Sequence, residues 1–296
     1  MQKSDYKQLF ESFNNLNVMI IGDVMVDSYI WGQVSRISPE APVPIVSVTK
    51  RESRLGGAAN VALNVKSMGA NPILCSVVGE DPRGQEFLQL LEEQGMDTRG
   101  IFRSVNRITT TKFRVIGNKV QMLRVDEETD SQLNEEDRLG LYSRFAEIID
   151  NNGVQVIIFQ DYDKGVITPE LIEKVVEKAA VKGIPVSVDP KKRNFTSYRN
   201  VDLFKPNLKE LKEGLNIEFD SKDQAALGKA AEALSGELNA GMVLITLSED
   251  GVLVRYDHQG TRSVIIPSHV RSVSDVSGAG DTVIGVASLC LARGVH

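Results

Sequence analysis

Residues 154–190 read VQVIIFQDYDKGVITPELIEKVVEKAAVKGIPVSVDP. Two short runs that are apolar throughout, VQVIIFQD and IPVSVDP, enclose the stretch TPELIEKVVEKAAVKG, whose apolar residues recur at helical spacing. A strand without a polar face must be covered on both sides, and a helix with one apolar stripe supplies half of that cover. The segment is therefore expected to form a strand, a crossover helix and a parallel strand. The same alternation extends outward in both directions. NVMIIGD, NPILCSVVG, VDLFKPN and MVLITLS read as further strands, and GGAANVALNVKSMGA, RGQEFLQLLEEQG and EEDRLGLYSRFAEIIDN as helices between them. The expected fold class is α/β, with layers of helices around a mostly parallel central sheet.

Two segments break the pattern, residues 29–50 and residues 107–126. The second, RITTTKFRVIGNKVQMLRVD in part, reads as two strands around Gly117 and Asn118, a pair that suits a type II′ hairpin turn. Together the two segments are expected to form a small β-sheet lid, one face packing while the other meets a ligand or a partner chain. A lone sheet of this kind is unstable by itself, so a homodimer through the lid is expected. With no repeat or linker in the chain, residues 1–296 are read as a single domain with this excursion.

The 296 residues are 42% hydrophobic and carry a formal net charge of −6, which suits a globular protein and argues against a nucleic-acid surface. Cys75 and Cys290 lie in apolar runs and are read as reduced core residues. The polar start, MQKSDYKQLFESFNNLN, lacks the apolar core of a signal peptide, and no run reaches membrane-spanning length. A cytoplasmic protein with no membrane partner is expected. His258, His269 and His296 show no metal-ligand spacing.

In DVSGAGD, residues 275–281, Gly278 and Gly280 let the backbone approach a ligand, and the apolar run after them begins a helix with unpaired first N–H groups. Such a terminus attracts an anion. Asp281 falls in its first turn, where a carboxylate can deprotonate a hydroxyl that attacks phosphorus while the amides around Gly278, Ala279 and Gly280 steady the transferred group. A tight turn with an aspartate favoured by the helix dipole explains the tetrapeptide alone equally well. The dinucleotide and P-loop patterns are both absent.

Asp23 and Asp27 follow the first strand, and Gly56 and Gly57 precede a helix that carries Asn60. Ligands gather at strand ends in such sheets, so these groups can converge on a sugar's hydroxyls, or they can cap turns. KPNLKE places Asn207 and Glu210 one helical turn apart, an oxygen pair suited to hydrated Mg²⁺ or to a capping box. Thr246, Ser248 and Gly251 lie in the turn after another strand, and Asp161, Lys164, Asp189 and Lys191 mark further strand ends.

Taken in this order, the motifs resemble the PfkB, or ribokinase-like, family of carbohydrate kinases from about residue 17 to the end. The resemblance implies a ribokinase-like three-layer sandwich with a small β-sheet lid, and ATP with Mg²⁺ as cofactors. It implies that GGAAN contacts the sugar through Gly56, Gly57 and Asn60, with Asp23, Asp27, Asp161 and Lys164 beside them. It implies that NLKE serves Mg–ATP through Asn207, Lys209 and Glu210, with Thr246, Ser248 and Gly251 in the nucleotide turn, and that Asp281 is the base. Val276 and Ser277 stand where the family motif has threonines, and Asp275 with Ser277 matches positions that hold a monovalent cation such as K⁺ in some members.

GDVMVDSYIWGQVSRISPEAPVPIVSV, LGGAANVALNVKSMGA, DYDKG and DVSGAGDTVIGV resemble more narrowly the kinase domain of bacterial heptose 7-phosphate kinases, RISPEAPVP being the most telling part. The implied activity is phosphorylation of O1 of D-glycero-β-D-manno-heptose 7-phosphate to the 1,7-bisphosphate, on the way to ADP-heptose and lipopolysaccharide. Arg36, Arg54, Arg114, Lys164 and Lys191 all stand open as ligands of the 7-phosphate. The alternatives are a kinase for another sugar or sugar phosphate and a non-catalytic sugar or nucleotide sensor. Family members continue beyond the final helix, so the C-terminal part of the family domain is expected to be missing here.

Overall fold

The chain runs α1 (Lys3–Ser12), β1 (Asn17–Gly22), β2 (Val24–Ile37), β3 (Pro44–Gly57), α2 (Ala58–Ser67), β4 (Asn71–Gly79), α3 (Pro82–Glu93), β5 (Ile101–Ser104), β6 (Thr111–Gly117), β7 (Val120–Glu127) and α4 (Glu135–Asn151). It continues through β8 (Val156–Gln160), α5 (Pro169–Lys182), β9 (Val186–Asp189), β10 (Leu203–Phe204), α6 (Leu208–Leu215), α7 (Gln224–Leu238), β11 (Met242–Thr246), β12 (Val252–Asp257), β13 (Thr261–Ile266) and α8 (Ala279–Ala292). The structure, a computed structural model, describes residues 3–151, 153–220, 222–257, 260–268 and 278–295.

The unit from β8 to β9 forms as the alternation predicts. The two strands pair in parallel from Ile157 with Val186 to Gln160 with Asp189. Between them, α5 starts where the Thr168 hydroxyl accepts the Leu171 N–H, with Pro169 in the first turn, where its missing N–H costs nothing. Repeating this unit gives a nine-stranded sheet in the order β13-β12-β11-β10-β9-β8-β1-β4-β5. Every neighbouring pair from β5 to β11 is parallel, and β12 and β13 add an antiparallel edge.

Successive side chains of β1 divide between two cores. Met19 and Ile21 pack with Phe145 of α4, Leu171 of α5 and Leu234 of α7. Val18 and Ile20 pack with Val61 of α2, Phe87 of α3 and Ile284 of α8. This period of two, with helices on each face, explains why the strand could be apolar throughout. No helix among the described residues is long and apolar enough to cross a membrane.

The excursion is a separate four-stranded sheet, in the order β3-β2-β6-β7. It reaches closer to the core than residues 29–50, because β2 starts at Val24, directly after β1, and β3 runs on to Gly57 at the start of α2. The hairpin between β6 and β7 departs from the expected II′ turn at Gly117-Asn118. Its central residues are Asn118 and Lys119, with φ of 51° and 69°, and positive φ at both positions makes a type I′ turn. Asn118 tolerates this conformation, and its side chain ties the turn to β2 by accepting the Val34 N–H at 3.1 Å and donating to the Val34 carbonyl at 3.0 Å.

Candidate active site

Where β1 leaves the large sheet, the chain turns at Asp23 into the small one; where β3 returns, it turns at Gly57 into α2. The Ala58 N–H donates to the Asp23 carbonyl at 2.9 Å and closes this junction. Gly57 sits at φ 62°, and a side chain there would strike that same carbonyl. A side chain at Gly56 would strike the Asp27 carboxylate, so the Gly-Gly step is required by close approach on both sides. Three residues after Gly57, the first turn of α2 presents Asn60.

Asn60 donates to Oδ2 of Asp281 at 2.6 Å, and the Tyr162 hydroxyl donates to Oδ1 at 3.0 Å. Gln160 Nε2, at the end of β8, lies 3.4 Å from Oδ1 of Asp281 and 3.4 Å from Oδ2 of Asp189. Asp281 is buried in the first turn of α8, whose N-cap is Gly278 at φ 79°, with no side chain capping the helix. The N–H groups of Ala279, Gly280 and Asp281 therefore point forward from an uncapped helix start, the arrangement that binds anions. Directly behind lies an ion pair between Lys205 Nζ and Asp189 Oδ2, 2.9 Å apart and both buried. A methyl group placed on Gly280 would sit 3.6 Å from that ammonium. Burial pushes the Asp189 carboxyl up, against the pull of Lys205.

Towards the small sheet, Asp27 forms an ion pair with Arg114 of the neighbouring strand β6. The Arg114 and Arg54 guanidinium carbons lie 5.2 Å and 4.9 Å from the Tyr29 ring centroid. Of the other basic candidates, Arg54 pairs with Glu52, Lys164 with Glu128 and Lys191 with Glu210, while Arg36 is exposed near the far end of β2.

Two of the expected ligands are engaged by protein groups. Asp23 is buried and accepts backbone N–H groups of Tyr162 at 2.9 Å, Lys164 at 3.2 Å and Val166 at 3.0 Å. Both of its oxygens are thus bonded to backbone of the DYDKG loop and the residue after it. Asp161 is likewise buried and accepts from Asn194 at 3.0 Å, the Tyr198 hydroxyl at 2.8 Å and the Asp163 N–H at 2.8 Å. Strand-end position is shared by both acids and by Asp27, and it does not reveal which way a carboxylate turns. Asp275 and Ser277, read as a monovalent cation site, lie outside the described residues, as do His258, His269 and His296.

Between the start of α6 and the end of β11, a cavity of about 580 Å³ is lined by Asn207, Lys209, Lys212, Thr246, Leu247 and Ser248 among others. Asn207 and Glu210 form a full capping box: Asn207 Oδ1 accepts the Glu210 N–H at 2.8 Å and Glu210 Oε2 accepts the Asn207 N–H at 2.9 Å. Both side chains retain lone pairs that can accept from metal-bound waters, which suits Mg²⁺ held through its hydration shell. Among the described residues, no three His, Cys, Asp or Glu side chains group to hold a metal by themselves. Ser248 takes φ 54°, the backbone conformation that glycine favours, so the main chain bends at the cavity mouth despite the side chain. Gly251, at φ 100°, turns the chain into β12.

Tyr162, Gln160 and Lys205 were not singled out from the sequence. Each sits in a motif that was quoted, but nothing in DYDKG or FKPN tells an inward tyrosine or a buried lysine from solvated ones. Burial, and after it the Asp281 carboxylate, raises the Tyr162 hydroxyl far above the ordinary phenol range, so it remains a donor throughout.

Solved structures resemble this arrangement over nearly the whole chain. Phosphofructokinase-2 from Escherichia coli in complex with potassium superposes with a TM-score of 0.74 at 19% identity, covering 96% of this chain and 87% of that one. Arabidopsis thaliana ribokinase complexed with ribose and ATP gives 0.70 at 15% identity, covering 95% and 88%. The class is thus the ribokinase-like α/β fold. The profile described as "pfkB family carbohydrate kinase" matches residues 15–296, and the chain belongs to that family. Among curated relatives, the bifunctional protein HldE of Geobacter metallireducens is 38% identical over 297 residues, covering 100% of this chain and 59% of that protein. The bifunctional protein HldE of Wolinella succinogenes is 40% identical over 277 residues, covering 94% and 57%. This chain therefore spans less than two thirds of the length of these relatives.

Proposed function

We propose that this chain transfers the γ-phosphoryl group of ATP to O1 of D-glycero-β-D-manno-heptose 7-phosphate, as a step towards ADP-heptose. The observation that carries the reading is Asp281 in the first turn of α8, oriented from both sides and set beside uncapped helix N–H groups. The choice of sugar is supported by the RISPEAPVP and DYDKG segments and by the identity to the bifunctional relatives.

In the reaction, Asp281 accepts the proton of the anomeric hydroxyl as its oxygen bonds to the γ-phosphorus. The bond to the β,γ-bridging oxygen breaks and ADP leaves. Amides of Ala279, Gly280 and Asp281 face the equatorial oxygens of the transferred group, where charge must be stabilised. Asp27, Gly57 and Asn60 hold the sugar, and Arg114 is the basic group nearest Asp27 for its phosphate. The triphosphate lies along the cavity of Asn207, Lys209 and Thr246. When bound, Mg²⁺ neutralises phosphate charge there, through waters ordered by Asn207 and Glu210. Asp275 and Ser277 are assigned to a K⁺ site by the resemblance alone. A homodimer through the small sheet is supported by Val48, Val120, Leu123 and Val125, which are exposed apolar residues on its strands. The lid so formed excludes water and limits ATP hydrolysis.

The test is ADP release from Mg–ATP across a panel of sugars. Turnover is expected with heptose 7-phosphate and to vanish in Asp281→Asn. Turnover of a free pentose or hexose without heptose 7-phosphate activity would replace the substrate assignment. Binding of ATP and sugar phosphate without Asp281-dependent ADP release would identify a sensor instead.

A further inference from the structure

We infer that Tyr162 is a positioning residue for Asp281, held in place by the buried carboxylate of Asp23, so that the DYDKG loop sets the aim of the base. The inference rests on the assignment of Asp281 as base, and it adds a residue that assignment did not require.

The chain of contacts is continuous. Asp23 takes the amides of Tyr162, Lys164 and Val166, and Asp163 and Gly165 reach φ of 56° and 85° to deliver them. Arg107, at the start of the small sheet's second arm, donates to the Lys164 carbonyl and ties the same loop from outside. The loop so fixed carries the Tyr162 hydroxyl to 3.0 Å from Oδ1, while Asn60 from α2 takes Oδ2. An O–H donor on a carboxylate favours its ionised form, and two donors on opposite oxygens fix the plane of the group.

Among the described residues, the groups facing Asp281 are few. Helix α2 contributes the neutral amide of Asn60, and next to it Asn64 bonds Thr282 at 3.2 Å. Strand β8 contributes Gln160, β9 the carboxylate of Asp189, and the chain after β10 the ammonium of Lys205, the last two paired with each other. Among the described residues, Tyr162 is therefore the hydroxyl donor to Asp281, and the Asp189–Lys205 pair behind it is internally compensated.

Tyr162→Phe keeps the ring and removes only the donor. We expect the acid limb of the kcat/KM profile against pH to move up by about one unit, since a hydrogen bond to a charged group is of that order, while KM for ATP is unchanged. Incorporation of 3-fluorotyrosine at 162, a stronger donor of the same shape, should move the limb the other way. Independently of turnover, the Tyr162 hydroxyl proton should appear by NMR as a protected downfield resonance that shifts upfield in Asp281→Asn. An unmoved acid limb in Tyr162→Phe, with Asp281→Asn inactive, overturns this inference and leaves the base assignment standing. An active Asp281→Asn variant overturns the base assignment itself. Absence of the protected hydroxyl in the wild type overturns the inference whatever the substrate proves to be.

Discussion

Around Asp281, donors for both carboxylate oxygens come from separate elements, Asn60 on α2 and Tyr162 after β8. Around Asn207 and Thr246 the chain instead leaves a cavity of about 580 Å³, with the Lys209 side chain 82% exposed at its edge. The first region is preorganised for a proton and a developing charge. In the second, Lys212 is held by the Phe219 carbonyl while Lys209 reaches into solvent. Catalysis gains most from groups fixed in the ground state, whereas binding of a flexible triphosphate tolerates mobile cations.

This contrast orders the expected effects. Asp281→Asn should lower kcat by about two orders of magnitude or more, the usual scale of a positioned base, with ATP binding nearly unchanged by calorimetry. A variant with wild-type kcat would break the claim that the closed side does the chemistry. Asp27→Ala removes a partner of Arg114 and should lower kcat/KM for the sugar phosphate by about 10- to 100-fold, the range of a lost charged hydrogen bond, without changing KM for ATP. On the open side, Glu210→Gln can keep the capping geometry while losing the charge. KM for Mg–ATP should rise by about 10-fold, with less than about 1 kcal/mol change in unfolding free energy. Equal loss of kcat in Glu210→Gln and Asp281→Asn would erase the distinction between the two regions.

The small sheet belongs with the open side. Leu123→Lys, at an exposed position on β7, should convert a dimer to a monomer in sedimentation velocity while leaving the thermal midpoint close to wild type. A last effect concerns the closed core. Burial pushes the Cys75 thiol up from its ordinary 9.0 to about 12. Above the ordinary value the unfolded chain loses a proton that the folded chain keeps, so stability falls as pH rises through the window from 9.0 to about 12. The slope should approach about 1.4 kcal/mol per pH unit at most, and denaturant titrations in wild type and Cys75→Ala would isolate it.

Much of the fold was legible. The runs around Val154–Pro190 specified strand, helix and parallel strand, because a strand with no polar face can only be buried on both sides. Helix α7 was not picked out, since its buried face includes Ala230 and Ala231 and reads weakly against its flanking polar residues. The hairpin was placed correctly along the chain but its turn was not, because Asn118 is held by Val34, 84 residues away. In the site, the helix start at Gly278 and the carboxylate at Asp281 carried local signals of their own.

By itself, then, the amino-acid sequence determined the alternation of layers, the glycine pairs and the acids at the strand ends. Those are set by short-range periodicity and by backbone sterics. Tertiary structure alone decided which acid does what. Asp23, Asp27 and Asp161 look alike along the chain, yet Asp23 is committed to amides up to 143 residues away and Asp27 to a guanidinium 87 residues away. It also brought Tyr162 to the Asp281 carboxylate 119 residues on, because a side chain's direction is fixed by packing partners that the local sequence does not contain.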